Sequence, residues 1–306
     1  MVAYALRRIL WTIPVLFFIT LVTFSLMHAI PGGPFDREKK LPPEILANLE
    51  KKYHLDQPLW KQYVDYIGGI VLHLDFGPSY SSRSRTVNDI IRDHLPVSAL
   101  LGVVSLAIAI GLGIPLGVIA ALKQNTLTDY SCMFFAVLGL SIPNLALGPF
   151  LIWIFALKLQ LLPVATWGTP QHLILPALTL GISFTAYIAR LTRASLLQII
   201  REDYIRTARA KGLPEQIVVI RHMLRNALIP VITYLGPLLA AVITGTFIVE
   251  TIFAIPGLGR FFISSIGNRD YPVIMGTTLV FALFISAANL VVDLSYAFLD
   301  PRIRLR

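Results

Sequence analysis

The chain has 306 residues, of which 56% are hydrophobic and only 14% charged, with a formal net charge of +9. A soluble globule carries about 25% charged residues, so this composition excludes one and points to an all-α, polytopic membrane protein. The basic excess does not by itself indicate a nucleic-acid partner, because membrane proteins concentrate Lys and Arg in the loops of one face.

In chain order, charge-free windows fall at 9–29, 97–122, 130–157, 173–189, 227–249 and 271–292. Each is near or above the ~18 residues that mark a spanning helix, so six transmembrane helices are expected. The first window follows Arg7 and Arg8 as a signal peptide would. It exceeds the usual ~7–15 apolar residues and ends without a small-x-small cleavage site, so a retained helix is expected.

The long segment 31–96 holds its own pattern. Pro42-Pro43-Glu44 opens a helix carrying Ile45, Leu46, Leu49 and Tyr53, and Pro58 interrupts it. A second helix at 59–74 carries Trp60, Tyr63, Ile67, Ile70 and Val71 at helical spacing. Residues 75–80 read as a turn and 81–85 as an exposed loop. Thr86 and Asp89 then have capping-box spacing for a third short helix ending before Pro96. The expected organisation is a cytoplasmic amino terminus and first span (1–30), an external cap of short helices (31–96) and a five-helix core (97–306) with a cytoplasmic loop at 190–226.

Orientation follows from the basic residues. The amino terminus has 2 Lys or Arg, the stretch 123–131 has 1, 190–226 has 8 and the tail after Leu299 has 3, against 3 (Lys158, Arg260, Arg269) in the short loops opposite. The positive-inside rule therefore puts both termini and the 190–226 loop in the cytoplasm. Attraction of that loop to anionic membrane lipid, at about 1 kcal/mol per basic side chain, accounts for its charges alone.

Its pattern asks for more. On a helix of 3.6 residues per turn, Glu202, Arg206 and Arg209 share one face of 202–212, and Tyr204, Ile205, Ala208 and Gly212 share another. Glu202 has the favourable i,i+4 spacing for an ion pair with Arg206. Gly212 stops the helix, Pro214 opens the next, and Ile217, Ile220, Leu224 and Leu228 give that helix its apolar stripe. The segment reads as a short amphipathic helix, a turn and a second helix entering the membrane.

Chemistry is scarce. The sequence has no GxxxxGK[ST] run for phosphates, no HExxH, and a single cysteine, Cys132, so no catalytic residue, metal site or internal disulfide is expected. Gly181-Ile-Ser183 starts like a nucleophile elbow, but Thr185 replaces the second glycine and a packing serine fits better. Gly113-x-x-x-Gly117 is a helix-contact signal. Intramembrane ionisable groups are few. Glu250 and Asp293, at span ends, and Asn144, beside Pro143 in a window expected to be kinked or broken, are the candidates for a translocation pathway.

Several motifs together carry a resemblance. Asp203-Tyr-Ile-Arg-Thr-Ala-Arg-Ala-Lys-Gly-Leu213 and Arg221-His-Met-Leu-Arg-Asn-Ala227 resemble the cytoplasmic EAA coupling loop of ATP-binding-cassette importer permeases, in the form of the oligopeptide and dipeptide branch. The general form's acid and proline are replaced here by Arg206 and Arg225. Similar matches occur at Leu6-Arg-Arg8, Asp75-Phe-Gly-Pro-Ser79, Gly117-Val-Ile-Ala-Ala-Leu-Lys-Gln-Asn-Thr126, Glu250-Thr-Ile-Phe-Ala-Ile-Pro-Gly-Leu-Gly259, Asn268-Arg-Asp-Tyr271 and Asp300-Pro-Arg-Ile303. Leu41-Pro-Pro-Glu44 and Lys52-Tyr-His-Leu55 tilt it toward the B-type permease subunits of oligopeptide importers.

The resemblance implies a MetI-like type I importer permease fold in a bacterial inner membrane. It also implies four partners: a second homologous permease, two cytoplasmic ATPase subunits and an external peptide-binding protein. Cofactors, ATP and Mg, would be bound by the ATPases, and none by this chain. ATPase coupling would rest on Tyr204, Ile205, Arg206, Thr207, Ala208, Arg209, Lys211, Gly212 and Leu213, the apolar face seating in a partner groove. Cargo would be oligopeptides or dipeptides, with nickel chelates, glutathione and sugars as alternatives within the branch. A stand-alone ion-coupled carrier is the rival reading, and a membrane enzyme a more distant one.

Overall fold

The computed structural model describes residues 2–35, 42–82 and 84–299. The described residues are helical apart from loops and a single isolated bridge between Pro78 and Thr86. Among the described residues, four helices are each long and apolar enough to cross a membrane, and two further bent pairs raise the number to as many as six. The chain divides into two compact units, one formed by 1–5, 99–255 and 287–306 and the other by 6–98 and 256–286.

In the second of these, residues 6–29 of α1 (Val2–Ala29) continue through Pro14 and leave most of their apolar surface exposed, with Thr20 and Met27 their buried positions. Helices α2 (Pro43–Lys52) and α3 (Leu59–His73) start after Pro42 and Pro58, both in the extended conformation that suits a residue just ahead of a helix. The inner face of α3 seats Tyr63 beside α1, where its hydroxyl meets Thr20 Oγ1 at 2.9 Å. Thr86 and Asp89 cap each other as their spacing predicts, with Thr86 Oγ1 donating to Asp89 Oδ2 at 2.7 Å and Asp89 N–H to Thr86 Oγ1 at 3.2 Å. The helix they open is longer than expected. Instead of stopping before Pro96, α4 runs unbroken over Val87–Leu122. A proline removes one backbone donor and frees the carbonyl four residues earlier. Arg92 and Pro96 both lie at the surface, so the loss falls outside the core.

Two sequence motifs meet in this unit. Asp270, just ahead of α13 (Tyr271–Leu299), is 2% exposed and accepts hydrogen bonds from the Ser79 hydroxyl and from the amides of Tyr80 and Ser81 at 3.0 Å each. Burial, with this carboxylate nearby, pushes the Tyr80 phenol above its ordinary range and keeps it protonated. Helix α12 (Leu258–Asn268) begins where the Leu258 amide donates to Ser98 Oγ at 2.8 Å.

The other unit is organised on α7 (Pro170–Ile199). The 130–157 window is broken into two helices, as its Pro-Asn pair suggests. Helix α5 (Leu127–Ser141) ends, Ile142 turns extended, and α6 (Asn144–Leu151) leaves at 105° to it. The residue before a proline is pushed out of the α region and the proline has no amide to donate, so the break falls where the chemistry requires it. The chain continues from α6 in a wider helical turn at Ile152–Lys158. Glycines let the helices approach. A Cβ at Gly113 or Gly117 would stand 2.7 Å from the Ile188 side chain or 2.5 Å from the Ala189 carbonyl, and one at Gly139 2.4 Å from Ile182. The 113/117 pair is thus the α4–α7 contact that its spacing predicts.

Candidate functional site

Residues 190–226 are less of a loop than the charge pattern suggests, because α7 carries the first ten of them. After a short turn, Glu202 stands outside the first turn of α8 (Asp203–Ala210). The end of α8 is a Schellman turn. Gly212 N–H donates to the Arg209 carbonyl at 2.9 Å and Leu213 N–H reaches the Ala208 carbonyl at 3.4 Å. Gly212 has φ +74°, the left-handed conformation that glycine adopts without penalty. Arg209 grips Glu215 across this turn by two bonds, 3.1 and 2.6 Å.

The apolar face of α8 is not available to a partner. Ile205 is fully buried and Ala208 is 6% exposed, packed with Ala121, Leu196, Val218 and Met223 of the same chain. Burying an isoleucine contributes roughly 1.5–3 kcal/mol, so this cluster fixes α8 to the chain's own core and corrects the expectation that the face seats in a partner groove. Tyr204, expected on that face, is instead 40% exposed and its hydroxyl accepts from Asn226 Nδ2 at 2.9 Å. The i,i+4 pair also differs. Arg206 approaches Asp203 at 3.4 Å, one residue nearer in sequence than Glu202, because Glu202 lies in extended backbone at the cap.

Beyond Pro214, which stands one residue before the helix it was expected to open, the chain passes through α9 (Glu215–Ile217), a wider turn at Val218–Met223, and α10 (Leu224–Ala227). It then bends by 44° into α11 (Ile229–Ile252). The wide turn displaces the predicted stripe. Val218, Val219, Met223 and Ala227 are buried, whereas Ile217 and Ile220 are 41% and 68% exposed. What faces outward is therefore a mixed surface: Tyr204, Arg206, Thr207, Arg209, Lys211, Gly212 and Leu213 of α8 and its turn, with Ile217 and Ile220 beside them.

The pathway candidates sit apart from this surface in sequence and differ from one another in setting. Asn144 opens α6 at the break, and its Oδ1 accepts a 2.7 Å bond from Ser183 Oγ of α7. The elbow-like serine is thus a tie between α6 and α7. Glu250, near the end of α11, is fully buried, and Asp293 on α13 is half-buried. The ion pair between Asp129 and Arg193 escaped the sequence reading. Asp129 on α5 is 1% exposed and receives Arg193 of α7 through Nε and Nη2, both at 2.7 Å. Thr126, which caps α5 through the Asp129 amide, marks Asp129 as a first-turn acid, but nothing local marks its partner 64 residues on.

The family described as binding-protein-dependent transport system inner membrane component matches residues 113–305, and the family of the N-terminal part of such components matches residues 1–102. The dipeptide transport system permease protein DppB of Bacillus subtilis is 48% identical over 100% of this chain and 99% of its own length. The oligopeptide transport system permease protein OppB of Salmonella typhimurium is 44% identical over 99% of this chain and 100% of its own. Among solved structures, a chain of the inward-facing MetNI methionine ABC transporter superposes with a TM-score of 0.58 at 17% identity, covering 69% of this chain and 96% of that one, which is a likeness of fold. The chain belongs to the family of inner-membrane permease components of binding-protein-dependent transport systems.

Proposed function

We propose that this permease forms half of a peptide-conducting pathway and that α8 with its Gly212 turn transmits the ATPase cycle to the membrane helices. The observation that carries the reading is the two-sidedness of α8. Ile205 and Ala208 root it in the cluster that joins it to α4, α7 and the 218–227 segment, while Arg206, Lys211 and Leu213 remain exposed. A lever needs both properties, a fixed inner face and a free outer one. In this reading Tyr204, Arg206, Thr207, Arg209, Lys211, Gly212 and Leu213 meet the ATPase, and Ile205 and Ala208 pass the displacement inward.

The finer assignments are part of the same proposal. Partners are a second homologous permease, two cytoplasmic ATPase subunits that bind ATP and Mg, and an external binding protein that delivers cargo. Both termini and α8 lie in the cytoplasm, segment 31–96 outside, and residues 97–306 form the translocating core. Asn144, Glu250 and Asp293 lie on the elements that rearrange between the two access states. Dipeptides and short oligopeptides are the cargo, on the strength of the two relatives' names. Reconstitution of the complex tests this reading. Peptides presented with the binding protein should stimulate ATP hydrolysis and enter vesicles in a vanadate-sensitive way. Uptake that survives vanadate and collapses with a protonophore would instead establish an ion-coupled carrier.

A further inference from the structure

A groove of about 690 Å³ runs between α1 and α3. Its walls are Phe17, Leu21 and Phe24 on α1 and Leu59, Trp60 and Val64 on α3. This is within the ~300–1,000 Å³ of ligand-sized pockets, but its polar groups do not call for a polar ligand. Of the polar groups on its wall, Tyr63 is bonded to Thr20 Oγ1 at 2.9 Å and His28 Nδ1 to the Phe24 carbonyl at 2.9 Å, and Ser25 and the Trp60 indole are uncharged.

The outward side of α3 is as apolar as its inner side. Trp60 is 67% exposed, Val64 56% and Val71 71%, and Lys61 and Asp65 occupy the adjoining surface. An exposed apolar row of this length marks a contact surface. Its neighbour identifies the contact, because α1 is itself a membrane span whose apolar window is 6% buried, and the groove is cut into the second half of that span. The exposed apolar surface of α3 thus continues the exposed apolar surface of α1. Tryptophan is the residue favoured where hydrocarbon meets water, and a helix with one charged and one apolar row lies in that plane.

We infer that α3 is embedded in the membrane interface, in the leaflet opposite the amino terminus, and that the α1–α3 groove holds an acyl chain of a phospholipid from that leaflet. The segment that caps this face is then anchored by lipid on one side and by Tyr63 on the other. An acyl chain wedged there ties the position of α3 to the lipid composition around it.

The test places a nitroxide at Leu21→Cys, Val64→Cys or Lys61→Cys in a Cys132→Ser background. Each variant, assembled with its partner subunits, is reconstituted in phosphatidylethanolamine–phosphatidylglycerol vesicles, and collisions with dissolved oxygen and with a water-soluble nickel chelate are compared. The inference expects oxygen to dominate at Leu21 and Val64 and the chelate at Lys61. Access of the chelate at Leu21 and Val64 matching that at Lys61 puts α3 in water and overturns it. Protection of Leu21 and Val64 from both reagents also overturns it, because a protein neighbour then fills the groove.

Discussion

Asp129, buried on α5, holds Arg193 of α7 through two parallel hydrogen bonds of 2.7 Å, and its Oδ2 also accepts from the Asn125 amide at 3.0 Å. The pair fastens α5 to the helix on which this unit is organised. Removing one partner of a buried pair costs about 3–5 kcal/mol, and with Arg193 about a quarter exposed the lower end applies. Asp129→Asn should lower the denaturation midpoint of the purified chain by the equivalent of about 3 kcal/mol. Adding Arg193→Gln should then cost much less than it does alone, because the charge left stranded by the first change is gone. Additive losses would show that the pair is not a unit.

Gly212 isolates a backbone effect. A Cβ there would meet nothing within 4 Å, so any penalty comes from φ +74° and not from a clash. A β-branched residue in the left-handed region costs about 1–2 kcal/mol, and asparagine less. Gly212→Val should therefore uncouple ATP hydrolysis from uptake or weaken assembly, while Gly212→Asn retains most transport. Equal activity of the two variants would remove the turn's conformation from the mechanism.

How much of this was legible in the sequence depends on the reach of each interaction. The break at Ile142-Pro143, the Thr86–Asp89 cap and the left-handed Gly212 are set by residues within four positions of one another, and each could be read directly. The amphipathic pattern of α8 revealed a face but not what covers it, since Ile205 packs on residues as distant as Ala121. The stripe after Pro214 was misplaced because a wider turn at Val218–Met223 changes the period on which such a reading rests. Arg193 was counted as a loop charge, and only the tertiary fold reveals that it belongs to Asp129.

Asp270 organises the segment 79–81 from below, and its replacement should show in the loop rather than in the helices. Asn at this position turns one acceptor into a donor facing the donors of Ser79, Tyr80 and Ser81. Leaving the buried Ser79 hydroxyl unsatisfied costs about 1–3 kcal/mol, and the less buried amides of Tyr80 and Ser81 cost less. Asp270→Asn should accelerate tryptic cleavage at the exposed Arg85 several-fold, with the cleavage sites of the 190–226 segment unchanged. Unchanged cleavage at Arg85 would mean that the carboxylate is not what orders the loop.

The orientation has a direct test in intact cells. In a Cys132→Ser background, cysteine at the exposed Ser84 should react with an impermeant maleimide, and cysteine at the exposed Gln216 should react only after the membrane is opened. The reverse labelling pattern would place α8 outside and end its role as an ATPase contact.

The two faces of α8 make separable predictions. Ala208→Glu puts a carboxylate into the cluster of Ile205, Val218 and Met223, where burial without a partner costs several kcal/mol. It should release α8 from the chain's own core, seen as faster amide exchange over residues 203–213, and the ATPase subunits should be lost on purification as a consequence. Arg206→Gln acts on the other face, where the guanidinium is 71% exposed and its contact with Asp203 contributes little to stability. Amide exchange should stay at the wild-type rate, yet ATPase retention should fall. Arg221→Gln controls for simple attraction to anionic lipid, since it removes one exposed charge nearby without touching α8. Equal ATPase retention in Arg206→Gln and Arg221→Gln would assign the basic residues to lipid and leave the ATPase contact to Leu213, Ile217 and Ile220.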